Sequence, residues 1–255
     1  MTDKQRIAAT FAAAAPGYDA HAVVQRHAAQ QLAQQVRAQW PHLQQIVEIG
    51  CGTGNLTEHL ALAYPQADIL ATDMAPAMVQ ACRQRMAALG TGMGIDMAVR
   101  FAVLDGEHMD CRAADLVASS LVFQWFSDQA GTLVRLAAQA PRLAVATLLD
   151  GTFADWKAAH AALGVDDGVR AFMTEEALRA LCVQMGARLE IETVQEHYHD
   201  VLQFVRALKA IGAGTARPGH SPAPLRRVLR AFPDGITARY RVAYVLAENT
   251  SLLGR

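Results

Sequence analysis

The sequence predicts an α/β fold with a mainly parallel sheet covered by helices on both faces. Two observations carry this. Short apolar runs alternate with helix-length segments across residues 46–148, the pattern of parallel strands joined by crossover helices. The first run ends in a glycine turn that opens a helix, and acids close the second and third runs.

In chain order, residues 3–15 read as a helix that Pro16-Gly17 breaks. A second helix is predicted from about Asp19 to about Ala38, on the stripe Ala22, Ala29, Leu32 and Val36. Strands are predicted at 46–50, 68–72, 98–104, 115–119 and 143–148. Helices lie between them at 55–64, 78–89 and 128–139, with Pro76 early in its helix and a loop at Gly90, Gly92 and Gly94. Beyond Asp150 come helices near 152–163 and 174–184, a strand at 188–194 and a helix at 199–211. A Gly/Pro-rich loop over 212–224, a helix at 223–231 and a strand at 239–247 complete seven strands. Length allows one domain over 1–255: a helical cap (1–40), a ligand-binding core (41–150), then helices and final strands (151–255).

Hydrophobic residues make up 52% and charged residues 18%, a globular balance. No apolar run approaches the ~20 residues of a membrane span. Residues 7–15 are nearly all alanine in their apolar part, and Pro16-Gly17-Tyr18-Asp19 offers no cleavage pattern, so a helix and a cytoplasmic protein are expected. Cys51, Cys82, Cys111 and Cys182 are widely spaced, so neither a disulfide framework nor a metal site is expected. The net charge of −1 hides an asymmetry. Residues 201–255 hold nine Lys/Arg and two Asp/Glu, a net of +7, which leaves −8 for the rest. This suggests an acidic partner; a solvated basic surface is the alternative.

The sharpest motif is Glu48-Ile49-Gly50-Cys51-Gly52-Thr53-Gly54-Asn55-Leu56. Its G-x-G-x-G spacing differs from the G-x-G-x-x-G that offers a helix N-terminus to a pyrophosphate. S-adenosylmethionine has no phosphate. Its amino-acid end needs backbone partners and an acid for its ammonium, and Glu48 with the loop supplies these. Asp73, after the second strand, stands where an acid accepts ribose hydroxyls; helix capping is the alternative. Asp105, after the third strand, can accept from an adenine amine, or only shape the turn at Gly106. Cys51 reads as a space-filler.

These residues resemble the class I S-adenosylmethionine-dependent methyltransferases, and more narrowly the malonyl-[acyl-carrier protein] O-methyltransferase family of biotin synthesis. The resemblance rests on Phe11, Ala13-Ala14, Tyr18-Asp19, His21-Ala22 and Gln25, on EIGCGTGNL (48–56), ATDMAPAM (71–78) and LDGE (104–107). It continues in Ala118-Ser119-Ser120-Leu121, Gln124-Trp125, Ala146-Thr147-Leu148, Gly151-Thr152 and LKAIGA (208–213). It departs at Ala140-Pro141-Arg142, where an R-P-G-G-like turn is usual, and at Ala171, where an arginine usually precedes the residue matched to Phe172; here Arg170 lies one place earlier.

The resemblance implies a Rossmann-like sheet whose last strand is antiparallel, and S-adenosylmethionine as cofactor. It adds Gln25, Met74, Gly106 and Ser120 to Glu48, the three loop glycines, Asp73 and Asp105 as cofactor-binding residues. The implied substrate is a malonyl thioester on acyl carrier protein or CoA, methylated on its free carboxylate. Arg170 is then the candidate for orienting the carboxylate and Tyr18 for positioning the methyl, with a half-buried structural tyrosine as the alternative. Gln124 and Trp125 are candidates for substrate binding, though Trp125 serves packing equally well. Phe123 and Phe126 suggest a small apolar lid. Arg226, Arg227 and Arg230, with Arg217, Lys209 and Arg206, would steer an acidic carrier. No nucleic-acid partner is expected, because no aromatics interleave these cations. His197 and His199 would share a side of an extended segment, but with no third ligand in view they read as a surface pair. Competing readings are a methyltransferase for another small acid, an NAD-type oxidoreductase, and a non-catalytic S-adenosylmethionine-binding protein. The sequence does not specify an oligomeric state.

Overall fold

Strands β1 (Gln45–Ile49), β2 (Asp68–Asp73), β3 (Val99–Val103), β4 (Leu116–Ser120), β5 (Arg142–Leu148), β6 (Arg188–Tyr198) and β7 (Ile236–Glu248) form one sheet, ordered β3-β2-β1-β4-β5-β7-β6, in a computed structural model that describes residues 2–94, 97–217, 219 and 225–252. The first five pair in parallel, and β7 runs antiparallel to both β5 and β6. The expected sheet, with its antiparallel last strand, is therefore present. Strand order reverses between β1 and β4, which opens a crevice beyond their carboxyl ends.

Alternation along the strands explains the two helical layers. Ala144, Ala146 and Leu148 of β5 and Val242, Tyr244 and Leu246 of β7 join one core cluster. Leu143, Val145, Ala243, Val245 and Ala247 join the other. The first cluster is closed by α3 (Val23–Gln39), α4 (Asn55–Ala63), α5 (Pro76–Met93) and α9 (Val201–Ala210), through Leu32, Leu60, Cys82 and Phe204. The second is closed by α6 (Gln129–Gln139) and α8 (Glu175–Met185), through Leu133, Leu136, Leu178 and Cys182. The remaining helices are α1 (Asp3–Ala14), α2 (Tyr18–His21), α7 (Ala154–Ala162) and α10 (Leu225–Leu229).

Several expectations need correction. The predicted helix over 19–38 is two helices, because Ala22 leaves helical geometry at φ −87° and ψ 47° and is fully buried at the break. Gly90 and Gly92 lie inside α5; only Gly94, at φ +66°, ends it. A run of good helix formers before them carries the helix through two tolerated glycines. Strands β6 and β7 are longer than predicted, with eleven paired residues from Arg188↔Leu246 to Tyr198↔Ile236. Polar residues in that stretch hide its pattern in the sequence. Residues 218 and 220–224 of the predicted 212–224 loop, the Arg226 side chain and Arg255 lie outside the described residues.

Helix α1 packs over the crevice and the turn after α9. Gly212, at φ +72°, makes this approach possible: a Cβ there would lie 2.7 Å from Phe11 Cδ1 and 3.1 Å from its Cα. Gly212→Ala should lower stability by about 1–3 kcal/mol, read as a lower thermal midpoint, and speed proteolysis within residues 1–21. A variant as protease-resistant as the parent would show that this contact does not hold α1.

Candidate active site

The glycine loop links β1 to α4 at the crevice. Gly50, Gly52 and Gly54 take positive φ of 73°, 53° and 98°. Their neighbourhoods differ. A Cβ on Gly50 would lie 2.2 Å from Val122 Cγ2, whereas one on Gly52 would meet nothing within 4 Å. Gly50 is thus a packing glycine, while Gly52 borders open space of the kind a ligand's approach requires.

Glu48 is 1% exposed at the end of β1 and accepts a hydrogen bond from Thr57 Oγ1 at 2.6 Å. Burial pushes its carboxyl up to about 7; the Asp73 charge adds to this and the Thr57 hydrogen bonds oppose it. Asp73 accepts from Gly52 N–H at 3.0 Å and Ala75 N–H at 2.8 Å. The helix cap itself is Ala75, so Asp73 braces the glycine loop as well as the turn before α5. Burial raises its pKa, against the backbone hydrogen bonds from Ala75, Gly52 and Met74. Asp105 accepts from Glu107 N–H at 3.1 Å and Lys4 Nζ at 2.6 Å. Beside it Gly106 is buried, and the half-buried Ser120 ends β4 with an Oγ that is shut from solvent and has no hydrogen-bond partner. Gln124 Nε2 donates to Leu121 O at 2.7 Å, while its buried Oε1 has no partner. These orphaned acceptors, the open face at Gly52 and three acids at successive strand ends fit an adenosyl amino acid with its ammonium, ribose and amine.

Next to the crevice lies an apolar cavity of about 440 Å³. Tyr18, Gln25, Leu121, Gln124 and Trp125 line its crevice side, and Phe153, Trp156, His160, Arg170, Phe172 and Lys209 line the rest. Tyr18 is half-buried, and burial, with the nearby Asp73 and Asp19 charges, holds its hydroxyl protonated. Arg170 lies over the Trp125 ring at 5.7 Å and pairs with Asp3 at 2.6 Å. The Asp3 carboxyl is held below its usual range first by that Arg170 hydrogen bond, against the effect of burial, with Arg6 assisting. Phe11 meets Trp125 edge-on at 5.2 Å. The expected lid of Phe123 and Phe126 is corrected: those rings lie 4.9 Å apart within the second core cluster, because the 3₁₀ turn Phe123–Trp125 sends Phe123 and Trp125 to different sides.

The cover is instead the N-terminal segment. Lys4 bridges Asp105 and Glu107, the latter at 2.5 Å. Asp19 accepts from Thr53 Oγ1 at 2.6 Å and Arg85 at 2.7 Å, which fixes α2 to the glycine loop. Lys4, Asp19, Thr53, Arg85, Phe11 and His160 were not among the residues the sequence singled out for a role. Phe11, Asp19 and Thr53 stand inside the motifs quoted above, but pairing across 34 residues has no periodic signature.

Residues 46–142 match the family model described as a methyltransferase domain. The chain is 38% identical over 249 residues to the Biotin biosynthesis bifunctional protein BioCD of Bordetella avium, covering 93% of this chain and 51% of that protein; it thus spans about half of that relative. It is 33% identical over 274 residues to the Malonyl-[acyl-carrier protein] O-methyltransferase of Geobacter sulfurreducens, covering 96% of this chain and 98% of that protein. The chain belongs to the malonyl-[acyl-carrier protein] O-methyltransferase family. The magnesium protoporphyrin IX methyltransferase of Synechocystis PCC 6803, solved with bound SAH, shares the fold at a TM-score of 0.56 and 16% identity, over 88% of this chain and 83% of that one.

Cys51 is buried, and its contact with Cys82, together with burial, pushes its thiol up, which fits a space-filler rather than a nucleophile. His197 and His199 are exposed, with ring centres 5.7 Å apart, and no metal-holding group of three occurs among the described residues. Arg217, Arg239 and Arg241 of the basic C-terminal stretch pair with Asp166, Asp155 and Glu175, so part of that charge is neutralised locally. Arg206, Arg227 and Arg230 are exposed. No helix among the described residues is long and apolar enough to cross a membrane.

Glu48 sets a pH dependence. Its carboxyl ionises near 4.5 when unfolded and near 7 when folded, so the folded state favours the protonated form. The stability this gives is full below about 4.5 and is lost as pH rises through about 7. Thermal midpoints from pH 5 to 8 should fall less steeply in Glu48→Gln than in the parent; parallel profiles would show that Glu48 ionises normally.

Proposed function

We propose that this chain methylates the free carboxylate of a malonyl thioester carried by acyl carrier protein, with S-adenosylmethionine as methyl donor. The observation that carries this reading is Arg170, a guanidinium in the wall of an apolar cavity beside the crevice, already holding a carboxylate from Asp3. Family membership supports the carrier-linked substrate. The donor's sulfonium supplies a methyl that is already activated.

On this reading Glu48 takes the donor's ammonium, Asp73 its ribose hydroxyls, and Asp105, Gly106 and Met74 surround its adenine. Gly50, Gly52 and Gly54 shape the backbone around it, with Ser120 at the β4 end and Gln25 at the passage into the cavity. Tyr18 and Gln124 narrow that passage and align the acceptor with the methyl. Arg170 exchanges Asp3 for the substrate carboxylate, and Trp125 lies beneath the guanidinium as a flat support. A carboxylate is ionised at neutral pH, so no side chain need remove a proton. Phe11, Phe153, Trp156 and Phe172 exclude water from the acceptor. Four free, buried thiols support a reducing compartment, and we place the reaction in the cytoplasm.

Incubation with S-adenosylmethionine and malonyl-acyl carrier protein should add one methylene's mass to the carrier by intact mass spectrometry. Acetyl-carrier should gain nothing; mass gain on acetyl-carrier, or none on malonyl-carrier, would reject this reading. Arg170→Ala should raise KM for malonyl-carrier about tenfold, the value of one charge-assisted hydrogen bond, while donor affinity measured by calorimetry stays within about twofold. An unchanged KM would remove Arg170 from the substrate site.

A further inference from the structure

Among the described residues His160 is the one buried histidine, 3% exposed, and it lines the cavity of about 440 Å³. Helix α7 places it one turn after Trp156. Its Nδ1 lies 2.8 Å from Trp156 O, and a carbonyl only accepts, so Nδ1 carries the ring proton. In the neutral ring Nε2 is then a bare acceptor. It has no hydrogen bond or ion pair among the described residues.

We propose that His160 Nε2 accepts a hydrogen bond from the first amide N–H of the substrate's pantetheine arm. The proposal rests on the malonyl-thioester reading above and extends it to the part of the substrate beyond the sulfur. The malonyl thioester itself offers acceptors only: a carboxylate, a carbonyl and a sulfur. The first donor along the chain is the amide N–H, two methylenes past the sulfur. A buried acceptor without a donor is costly, and this N–H is the group of the substrate that satisfies it.

The spacing agrees. Six bonds separate the carboxylate carbon from the amide nitrogen, about 7 Å extended at roughly 3.5 Å for every three bonds of an extended chain. A sphere of 440 Å³ is about 9 Å across, so both groups fit within the one space that Arg170 and His160 line. Trp156 couples these two residues. Its ring centre lies 4.2 Å from that of His160, and its Nε1–H donates to Asp167 O at 3.1 Å, three residues before Arg170. Leu163 and Val165 N–H groups donate to His160 O at 3.1 and 3.0 Å and so brace the backbone that carries the ring. Asp167 lines the cavity too, but its carboxylate already accepts from Val169 N–H at 2.7 Å. Phe153, Trp156 and Phe172 give the cavity aromatic walls, which suit the sulfur and methylenes of the segment.

The test compares two malonyl thioesters by titration calorimetry with S-adenosylhomocysteine present, which needs no methyl transfer. One is the thioester of N-acetylcysteamine, which has the amide; the other is that of 2-acetoxyethanethiol, in which oxygen replaces the N–H. The parent protein should bind the amide about tenfold more tightly. His160→Asn keeps a donor for Trp156 O but is too short to place an acceptor where Nε2 lies, and should bind both compounds within about twofold. His160→Gln, whose Oε1 reaches that place, should keep the preference. Equal binding of both compounds to the parent, or a preference that survives in His160→Asn of unchanged thermal midpoint, overturns the proposal. So does an equal weakening of both compounds in both variants, which would make His160 a packing residue. The arm is common to acyl carrier protein and CoA. A KM raised about tenfold in His160→Asn for one of the two malonyl thioesters alone assigns the contact to that carrier, and for both to their shared arm. If neither thioester is methylated but the calorimetric preference holds, the methyl-transfer reading fails and the role of His160 as acceptor stands.

Discussion

Docking of α1 decides whether this protein has an enclosed site. The sheet supplies a crevice by reversing strand order between β1 and β4, but a crevice alone is open to water. Helix α1 covers it with Lys4 on Asp105 and Glu107, Asp3 on Arg170, and Phe11 on Trp125 and Gly212. The contacts to Asp105, Arg170 and Trp125 join the cover to candidate site residues, so cover and site are not independent parts.

The electrostatics differ between the inner end of the crevice and its edge. Glu48 and Asp73 sit beside each other at the inner end of the crevice, and burial raises both. A cation arriving there offsets the cost of charging two buried acids, so a positively charged ligand is favoured over a neutral one of similar shape. At the cover's edge the balance is opposite. Burial of Glu107 would raise its pKa, but Lys4 and the N–H groups of Asp128 and Ser127 override this and hold it low. The inner acids thus await a partner, whereas the outer one already has it.

The crevice was largely legible in the sequence and the cover was not, for a physical reason. Glycines after an apolar run and acids after the next two are local signals, and the sheet carries Glu48, Asp73 and Asp105 to neighbouring strand ends without further information. Tyr18, Gln124, Trp125 and Arg170 line one cavity, and Arg170 does so from a position displaced by one residue from the usual arginine. The attachment of α1 depends on pairs such as Lys4 with Asp105, separated by 101 residues, and no periodicity announces such a pair. Phe123 and Phe126 misled because the sequence gives their order but not the 3₁₀ turn that separates their rings from Trp125. The length of β6 was hidden by Glu190, Glu192 and Glu196, charges tolerated on a strand that forms the sheet's edge.

If Arg170 takes the substrate carboxylate as proposed, its pairing with Asp3 also bears on how a finished product would depart. A carboxylate entering the cavity competes with Asp3 on equal terms, charge for charge. Once esterified it is neutral and loses that claim, whereas Asp3, carried on α1 and braced by Arg6, keeps its own. The helix therefore holds a tethered competitor whose effective concentration at Arg170 never falls, and conversion of acid to ester tips the exchange in its favour. On that reading retention is conditional on the very charge that methylation removes, so a guanidinium that admits the acid would give the ester no reason to stay.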